Sequence, residues 1–66
     1  MTEIVNKVHE LRMKAGLTQE HLAELVGVSR QTIIAIEKGN YAPSIILALK
    51  ISRILRYPVE EVFSIK

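Results

Sequence analysis

The sequence predicts an all-α domain of five short helices, and three observations favour this fold class in a chain of 66 residues. Apolar residues recur at helical spacing in successive segments. Each of the first three segments is followed by a glycine, a common residue at the end of a helix: Gly16, Gly27 and Gly39. Three segments follow a hydroxyl residue suited to cap a helix: Thr18, Ser29 and Ser44. The length leaves room for one small domain over residues 1–66.

The first helix is predicted from about Glu3 to Lys14 and is expected to have a structural role, packing against the rest of the fold. One narrow face collects its apolar residues: Ile4, Val8, Leu11 and Ala15. Glu3 suits the positive N-terminal end of a helix and Lys14 the negative C-terminal end.

The centre of the chain, residues 18–39, predicts a helix-turn-helix unit. Its helices are expected from Gln19 to Val26 and from Arg30 to Lys38. Only Gly27 and Val28 separate the first helix from the cap of the second, and Gly27 tolerates the left-handed backbone that so sharp an exit requires. Two helices this close cross at a steep angle.

Apolar residues of this unit are expected to close a small wedge between the two helices. Its members are Leu22, Val26, Val28, Ile33 and Ile36. Ala23 is expected where the two backbones come nearest, since a larger side chain would push them apart.

The outward side of the second helix predicts the function. At about 100° per residue, Ile33 and Ile36 define the buried side of this helix. Glutamine pairs with adenine, arginine pairs with guanine, and methyl groups contact thymine in the major groove. A solvated face is the alternative for any one of these residues, but a helix-turn-helix presents this face to DNA. The expected base contacts are Arg30, Gln31, Thr32, Ile34 and Ala35.

The run LTQEHLAELVGVSRQTIIAIEKGNYAPS, residues 17–44, resembles the DNA-binding domain of the Cro and phage-repressor class, the XRE-like regulators of bacteria and archaea. The resemblance runs from about Val5 to Phe63 and implies a lambda-repressor-like fold. It implies that Gln19 bonds a phosphate and braces Gln31. It also implies a buried ion pair between Arg12 and Glu37.

The loop from Gly39 to Ser44 is expected to lie along the sugar-phosphate backbone, by the same resemblance. Polar side chains and free amides before the fourth helix suit phosphate. Tyr41 has an alternative role, packing under the loop. The expected backbone contacts are Gln19, Ser29, Lys38, Asn40, Tyr41 and Ser44.

The fourth helix, Ile45 to Leu55, carries more apolar surface than one core needs. Its apolar arc covers roughly 220°, against the ~100° stripe of an ordinary surface helix. Such a surplus predicts a homodimer, since a symmetric regulator needs two copies to read two operator half-sites. The expected function is that of a transcriptional regulator, most often a repressor. Burial on two sides within the chain's own fold is the alternative. The predicted interface residues are Leu47, Ile54, Tyr57, Val62 and Ile65.

The C-terminal segment, Tyr57 to Lys66, resembles the short fifth helix of the same family. Val62 and Phe63 are expected to point toward the core. Pro58 stands where a capping residue is usual. Residues 64–66 are expected either to form a brief strand or to fray.

Charge and composition narrow the partner classes. The net charge is +2, and between Arg30 and Arg56 five basic residues accompany one acid, Glu37, which is typical of a nucleic-acid-binding surface. The chain has no cysteine, which excludes disulfides and thiolate zinc sites. No nucleophile with a base and no phosphate-binding glycine loop is present, so neither catalysis, a cofactor nor a small-molecule ligand is expected.

The sequence also predicts the location of the protein and leaves two alternative functions open. The N-terminus lacks a secretory signal, and the longest apolar run is too short to span a bilayer, so a soluble cytoplasmic protein is expected. One alternative is a protein-interaction module, such as an antitoxin, that binds a partner protein through helix four. Another is a metal site at His21 and Glu24, spaced three residues apart on one helix face.

Overall fold

The computed structural model describes residues 3–66 as five helices and one pair of strands. The elements in chain order are β1 Ile4–Asn6, α1 Val8–Lys14, α2 Gln19–Val26, α3 Arg30–Glu37, α4 Ile45–Leu55, α5 Val59–Val62 and β2 Phe63–Ile65. The predicted fold class is confirmed, with a small antiparallel sheet added to the helices.

Side-chain caps fix the start of the three central helices at the predicted residues. The hydroxyl of Thr18 accepts from the N–H of His21 at 3.0 Å. Ser29 accepts from Thr32 at 3.2 Å, and Ser44 accepts from the N–H of Leu47 at 3.1 Å. Each cap satisfies a backbone donor that the first helical turn leaves without a partner. The bounds of α2 and α4 match the prediction, and α3 ends one residue earlier than predicted.

The turn between α2 and α3 depends on a left-handed residue, as predicted. Gly27 has φ +78° and ψ 33°. The N–H groups of Gly27 and Val28 both donate to the carbonyl of Ala23, at 2.9 and 3.0 Å. The chain therefore reverses within two residues and enters the cap of α3.

The prediction that the first helix begins at about Glu3 is wrong, because α1 begins at Val8. Ile4 to Asn6 form β1, which pairs antiparallel with β2, Ile4 opposite Ile65 and Asn6 opposite Phe63. Two neighbouring β-branched residues favour a strand here. Asn6 Oδ1 also accepts from the N–H of Val8 at 3.1 Å, which starts α1 at that point. Of the two alternatives predicted for residues 64–66, the strand is correct for residues 64 and 65, and β2 begins one residue earlier, at Phe63. We call β1 and β2 together the chain-end sheet.

The core lies between the helix-turn-helix unit and the helices that flank it. The predicted wedge is buried, with Leu22, Ile33 and Ile36 fully enclosed and Val28 half-buried against them. From the other elements the core takes Val8, Leu11, Leu47, Ile51, Leu55 and Val62. Ile4 and Ala15, both predicted on the buried face of the first helix, are exposed instead.

Helix α4 leaves apolar side chains exposed, as predicted, but two of the residues predicted at the interface lie in the core. Leu47 and Val62 are 7% and 1% exposed, because they fill the core of their own chain, so they offer almost no surface to a partner. The surface that α4 leaves in water is a stripe of Ile45, Ile46 and Leu49, which are 79%, 68% and 51% exposed. We call these three residues the α4 stripe.

Candidate nucleic-acid interface

Helix α3 buries one side and exposes the side predicted to contact DNA. Ile33 and Ile36 are 0% exposed and hold the helix against the core. Arg30 and Gln31 are exposed at its N-terminal end, in solvent rather than inside the fold. The remaining members of the outward side are half-buried: Thr32, Ile34 and Ala35. These five outward residues, from Arg30 to Ala35, form what we call the reading face.

The start of α3 is fixed by its own cap. Besides accepting from the N–H of Thr32, the hydroxyl of Ser29 lies 3.1 Å from the hydroxyl of Thr32. One of these two hydroxyls donates to the other, so one O–H stays available for DNA, and the methyl group of Thr32 is the part suited to an apolar contact with a base.

A cleft brings the N-terminal ends of α2 and α3 together. It has a volume of about 330 Å³, and its lining residues are Arg12, Thr18, Gln19, Glu20 and Arg30. Backbone N–H groups at a helix start are donors that suit an anion. The acid Glu20 in the same cleft was not predicted, and its charge opposes a phosphate.

The C-terminal end of α3 is held by a buried ion pair. Arg12 Nε donates to Glu37 Oε2 at 2.7 Å, and the two side chains are 7% and 5% exposed. Arg12 Nη1 also donates to the carbonyl of Leu17 at 2.7 Å. Arg12 therefore ties α1, the segment before α2 and the end of α3 to one another.

Gln19 takes a different partner from the one that the family resemblance implies. Its Nε2 donates to Glu37 Oε1 at 3.2 Å, and among residues 3–66 this is the hydrogen bond that its side chain makes, so it does not brace Gln31. His9, which the sequence did not suggest, also joins this group. Its Nδ1 lies 3.2 Å from Glu37 Oε1 and 3.1 Å from Arg12 Nη2.

The carboxylate of Glu37 is stabilised in its charged form. Burial by itself raises the pKa of Glu37, but hydrogen bonds from Arg12, Gln19 and His9 and the charge of Arg12 lower it by more. The net result is a pKa below the ordinary value of 4.5. Glu37 therefore stays ionised and paired at neutral pH.

The loop of residues 39–44 leaves α3 through a second left-handed glycine, Gly39, with φ +81°. The N–H of Asn40 donates to the carbonyl of Ala35 at 2.9 Å, which closes the end of the helix. Asn40 and Ser44 are exposed, and Tyr41 is 48% exposed. Tyr41 and Pro43 also line a cavity of about 190 Å³ against the chain-end sheet.

The exposed charge of this part of the chain is positive. The five basic residues between positions 30 and 56 are all exposed: Arg30, Lys38, Lys50, Arg53 and Arg56. The one acid of that stretch, Glu37, is buried and paired with Arg12. Among residues 3–66, no helix is both long and apolar enough to cross a bilayer, and no group of three or more histidines and acids is placed to hold a metal ion.

A pair of capped helices joined by a left-handed glycine turn is characteristic of a helix-turn-helix protein. The profile of the family described as Helix-turn-helix matches residues 8–62. The chain belongs to this family, in the XRE-like class of DNA-binding transcriptional regulators that includes Cro and phage repressors.

Relatives and a solved structure agree with this membership. The chain is 57% identical over 58 residues to the uncharacterized HTH-type transcriptional regulator YgzD of Bacillus subtilis, covering 88% of each chain. An HTH-type transcriptional regulator of Methanothermobacter thermautotrophicus is 60% identical over 57 residues, covering 85% of this chain and 83% of the relative. The restriction-modification controller protein C.AhdI of Aeromonas hydrophila superposes with a TM-score of 0.77 at 34% identity, over 83% of both chains.

Proposed function

We propose that the protein binds double-stranded operator DNA as a homodimer and represses transcription by occupying the operator. The observation that carries this proposal is the exposure of Arg30 and Gln31 on a helix whose opposite side is fully buried. An arginine and a glutamine at the start of the second helix of the motif suit hydrogen bonds to base edges in the major groove.

Within the reading face, Gln31 pairs with adenine and Arg30 with guanine. Each side chain offers two hydrogen-bonding groups, which distinguish one base pair from another in the major groove. The smaller contacts to thymine methyl groups come from Thr32, Ile34 and Ala35.

Phosphate contacts surround the reading face and set its register. Gln19 uses one amide hydrogen on Glu37, which leaves the second for a phosphate. Lys38 supplies a charge at the other end of α3. The remaining proposed backbone contacts are Ser29, Asn40, Tyr41 and Ser44.

A second copy of the chain covers the α4 stripe in this proposal. The longest dimension of the chain is 32 Å, close to the distance of about 34 Å between half-sites one helical turn apart, so two copies have room side by side on one face of the duplex. Tyr57 and Ile65 from the predicted interface are 37% and 74% exposed and remain part of the proposed surface, as does the half-buried Ile54. Lys50 and Arg53 border the stripe, and their stems can cover apolar surface while their charges stay in water.

The dimer is tested by placing a charge on one surface at a time. Leu49→Lys is expected to give monomers in sedimentation, because it puts an ammonium in the α4 stripe. Leu25→Lys is the matched substitution, at a leucine of α2 that is 48% exposed and lies outside the proposed interface, and it is expected to leave the dimer intact. A Leu49→Lys variant that remains dimeric refutes the assignment of the stripe.

Selection of binding sites from random duplexes, at two salt concentrations, tests the function itself. The proposal predicts a two-fold sequence with half-sites one helical turn apart and an affinity that falls steeply with salt. Lys38→Ala should weaken all duplexes alike and lower the salt slope by about 1. Recovery of unenriched sequences at both salt concentrations refutes sequence-specific binding.

A protein-interaction module is the second candidate, favoured by the same exposed α4 stripe. In that case the stripe binds a different protein, as an antitoxin binds its toxin, and the isolated chain is monomeric. Monomeric protein that shows no sequence enrichment supports this candidate against the first.

A further inference from the structure

The side chain of Asn6 joins three elements of the fold. Its Oδ1 accepts from the N–H of Val8 at the start of α1, and its Nδ2 donates to the carbonyl of Ile36 at 2.9 Å. Ile36 lies 30 residues further along the chain, in the last turn of α3. One amide therefore links β1 and α1 to the C-terminal end of α3.

The same carbonyl marks the beginning of the loop of residues 39–44. The N–H of Gly39 also donates to the carbonyl of Ile36, at 2.9 Å. Asn6 thus contacts the point where α3 ends and where the chain turns toward the proposed phosphate contacts. Lys38 lies directly before this turn.

The C-terminal end of the chain holds Asn6 in position. Asn6 is the strand partner of Phe63, and the N–H of Lys7 donates to the carbonyl of Val62 at 2.9 Å. A sheet of two short strands is marginal by itself. The strand pairing with Phe63 and the bond from Lys7 to Val62 therefore fix the backbone of Asn6, and the side-chain bonds of Asn6 in turn tie the chain-end sheet to α1 and α3.

We infer that Asn6 is a positioning residue of the DNA interface, in that its bond to Ile36 sets where Lys38 and the loop meet the DNA backbone. This inference rests on the proposed DNA-binding function. Without the bond, the end of α3 and the loop sample more conformations, and binding must order them again. The affinity for all duplexes then falls, while base preference is retained, since Ser29 fixes the start of α3 independently.

The variant Asn6→Asp separates the two bonds of this side chain. An aspartate accepts from the N–H of Val8 as asparagine does, but at neutral pH it has no proton to donate to Ile36. Asn6→Ala removes both bonds. The inference predicts that Asn6→Asp weakens operator binding at least as much as Asn6→Ala, by about three- to tenfold, the size expected for one hydrogen bond.

Two control variants separate this effect from charge and from stability. Ser64→Asp adds the same charge to β2 and leaves the bonds of Asn6 intact. Ser52→Ala removes a buried hydroxyl that donates to the carbonyl of Ala48 at 2.8 Å within α4. Both are expected to bind the operator within about twofold of the original chain, at a temperature where every variant is folded.

Amide hydrogen exchange without DNA gives a readout that does not depend on binding. Both Asn6 variants should speed exchange at Gly39 and Asn40 and leave Thr32 unchanged. The inference is overturned if Asn6→Asp binds the operator as tightly as the original chain. In that case the role of Asn6 is confined to its bond with the N–H of Val8, at the start of α1. If the original chain binds no duplex, the proposed function fails instead, and unchanged exchange at Gly39 would then overturn the positioning of the loop.

Discussion

The two ends of helix α3 are held in different ways. Its N-terminal end is capped by Ser29, the adjacent residue, and leaves Arg30 and Gln31 in solvent. Its C-terminal end is held from far along the chain, by Arg12 on Glu37 and by Asn6 on Ile36. The helix is therefore anchored at its C-terminal end and open at the N-terminal end, which we propose contacts the bases.

This difference separates stability from recognition. Removal of Arg30 or Gln31, the exposed side chains of the open end, should alter DNA binding and not the free energy of unfolding. Changes at the anchored end should lower the free energy of unfolding, and through Asn6 they should also weaken the proposed phosphate contacts.

Arg12→Met should lower the free energy of unfolding by about 3–5 kcal/mol, because it leaves the charge of Glu37 buried without its partner. Urea denaturation at neutral pH measures the loss. Lys14→Met is the control, since Lys14 is an exposed cation on the same helix. A loss no larger than that of Lys14→Met would contradict the role of the ion pair as an anchor.

Arg30→Ala should cost about 1–3 kcal/mol of operator binding, the usual range for one base-reading side chain. Its free energy of unfolding should stay within about 0.5 kcal/mol of the original value, because Arg30 is exposed. Titration of a selected duplex and urea denaturation give the two numbers. Equal losses in both would show that the two ends of α3 are not separate.

Ser29→Ala should lower the free energy of unfolding by about 1 kcal/mol, the usual loss for a helix cap. Ser29→Asp is the matched variant, since aspartate also caps well. The proposed phosphate contact of Ser29 is distinct from its cap if Ser29→Asp keeps the free energy of unfolding of the original chain but binds the operator more weakly.

The smallest expected effect is a dependence on acid, because burial of Glu37 opposes the bonds that stabilise its charge. A lowered pKa in the folded state means that Glu37 contributes stability above its ordinary value of 4.5 and loses it as pH falls through the folded pKa. Denaturation of the original chain and of Glu37→Gln, from pH 6 to pH 3, should show the steeper acid loss in the original chain. Parallel curves would contradict the pKa direction.

Local signals in the sequence were sufficient to predict the central helices. Thr18, Ser29 and Ser44 each bond a backbone group three residues away, so their effect is visible in a short window. The turn at Gly27 is equally local. The outward side of α3 followed from the spacing of Ile33 and Ile36.

Contacts between distant residues could not be predicted in this way. Ile4 and Val5 favour a strand by their branching, but the strand that pairs with them lies at the opposite end of the chain, where Ile65 faces Ile4. The wide apolar arc of α4 did not show which side its own chain covers, which is why Leu47 was assigned to a partner. The bond from Gln19 to Glu37 depends on how α2 and α3 cross, which no spacing encodes.

Binding-site selection with the original chain and with Gln31→Ala tests the reading face most directly. The account predicts that the variant loses preference at one adenine position in each half-site and keeps the rest of the selected sequence. An unchanged preference at every position would contradict the assignment of Gln31 to a base.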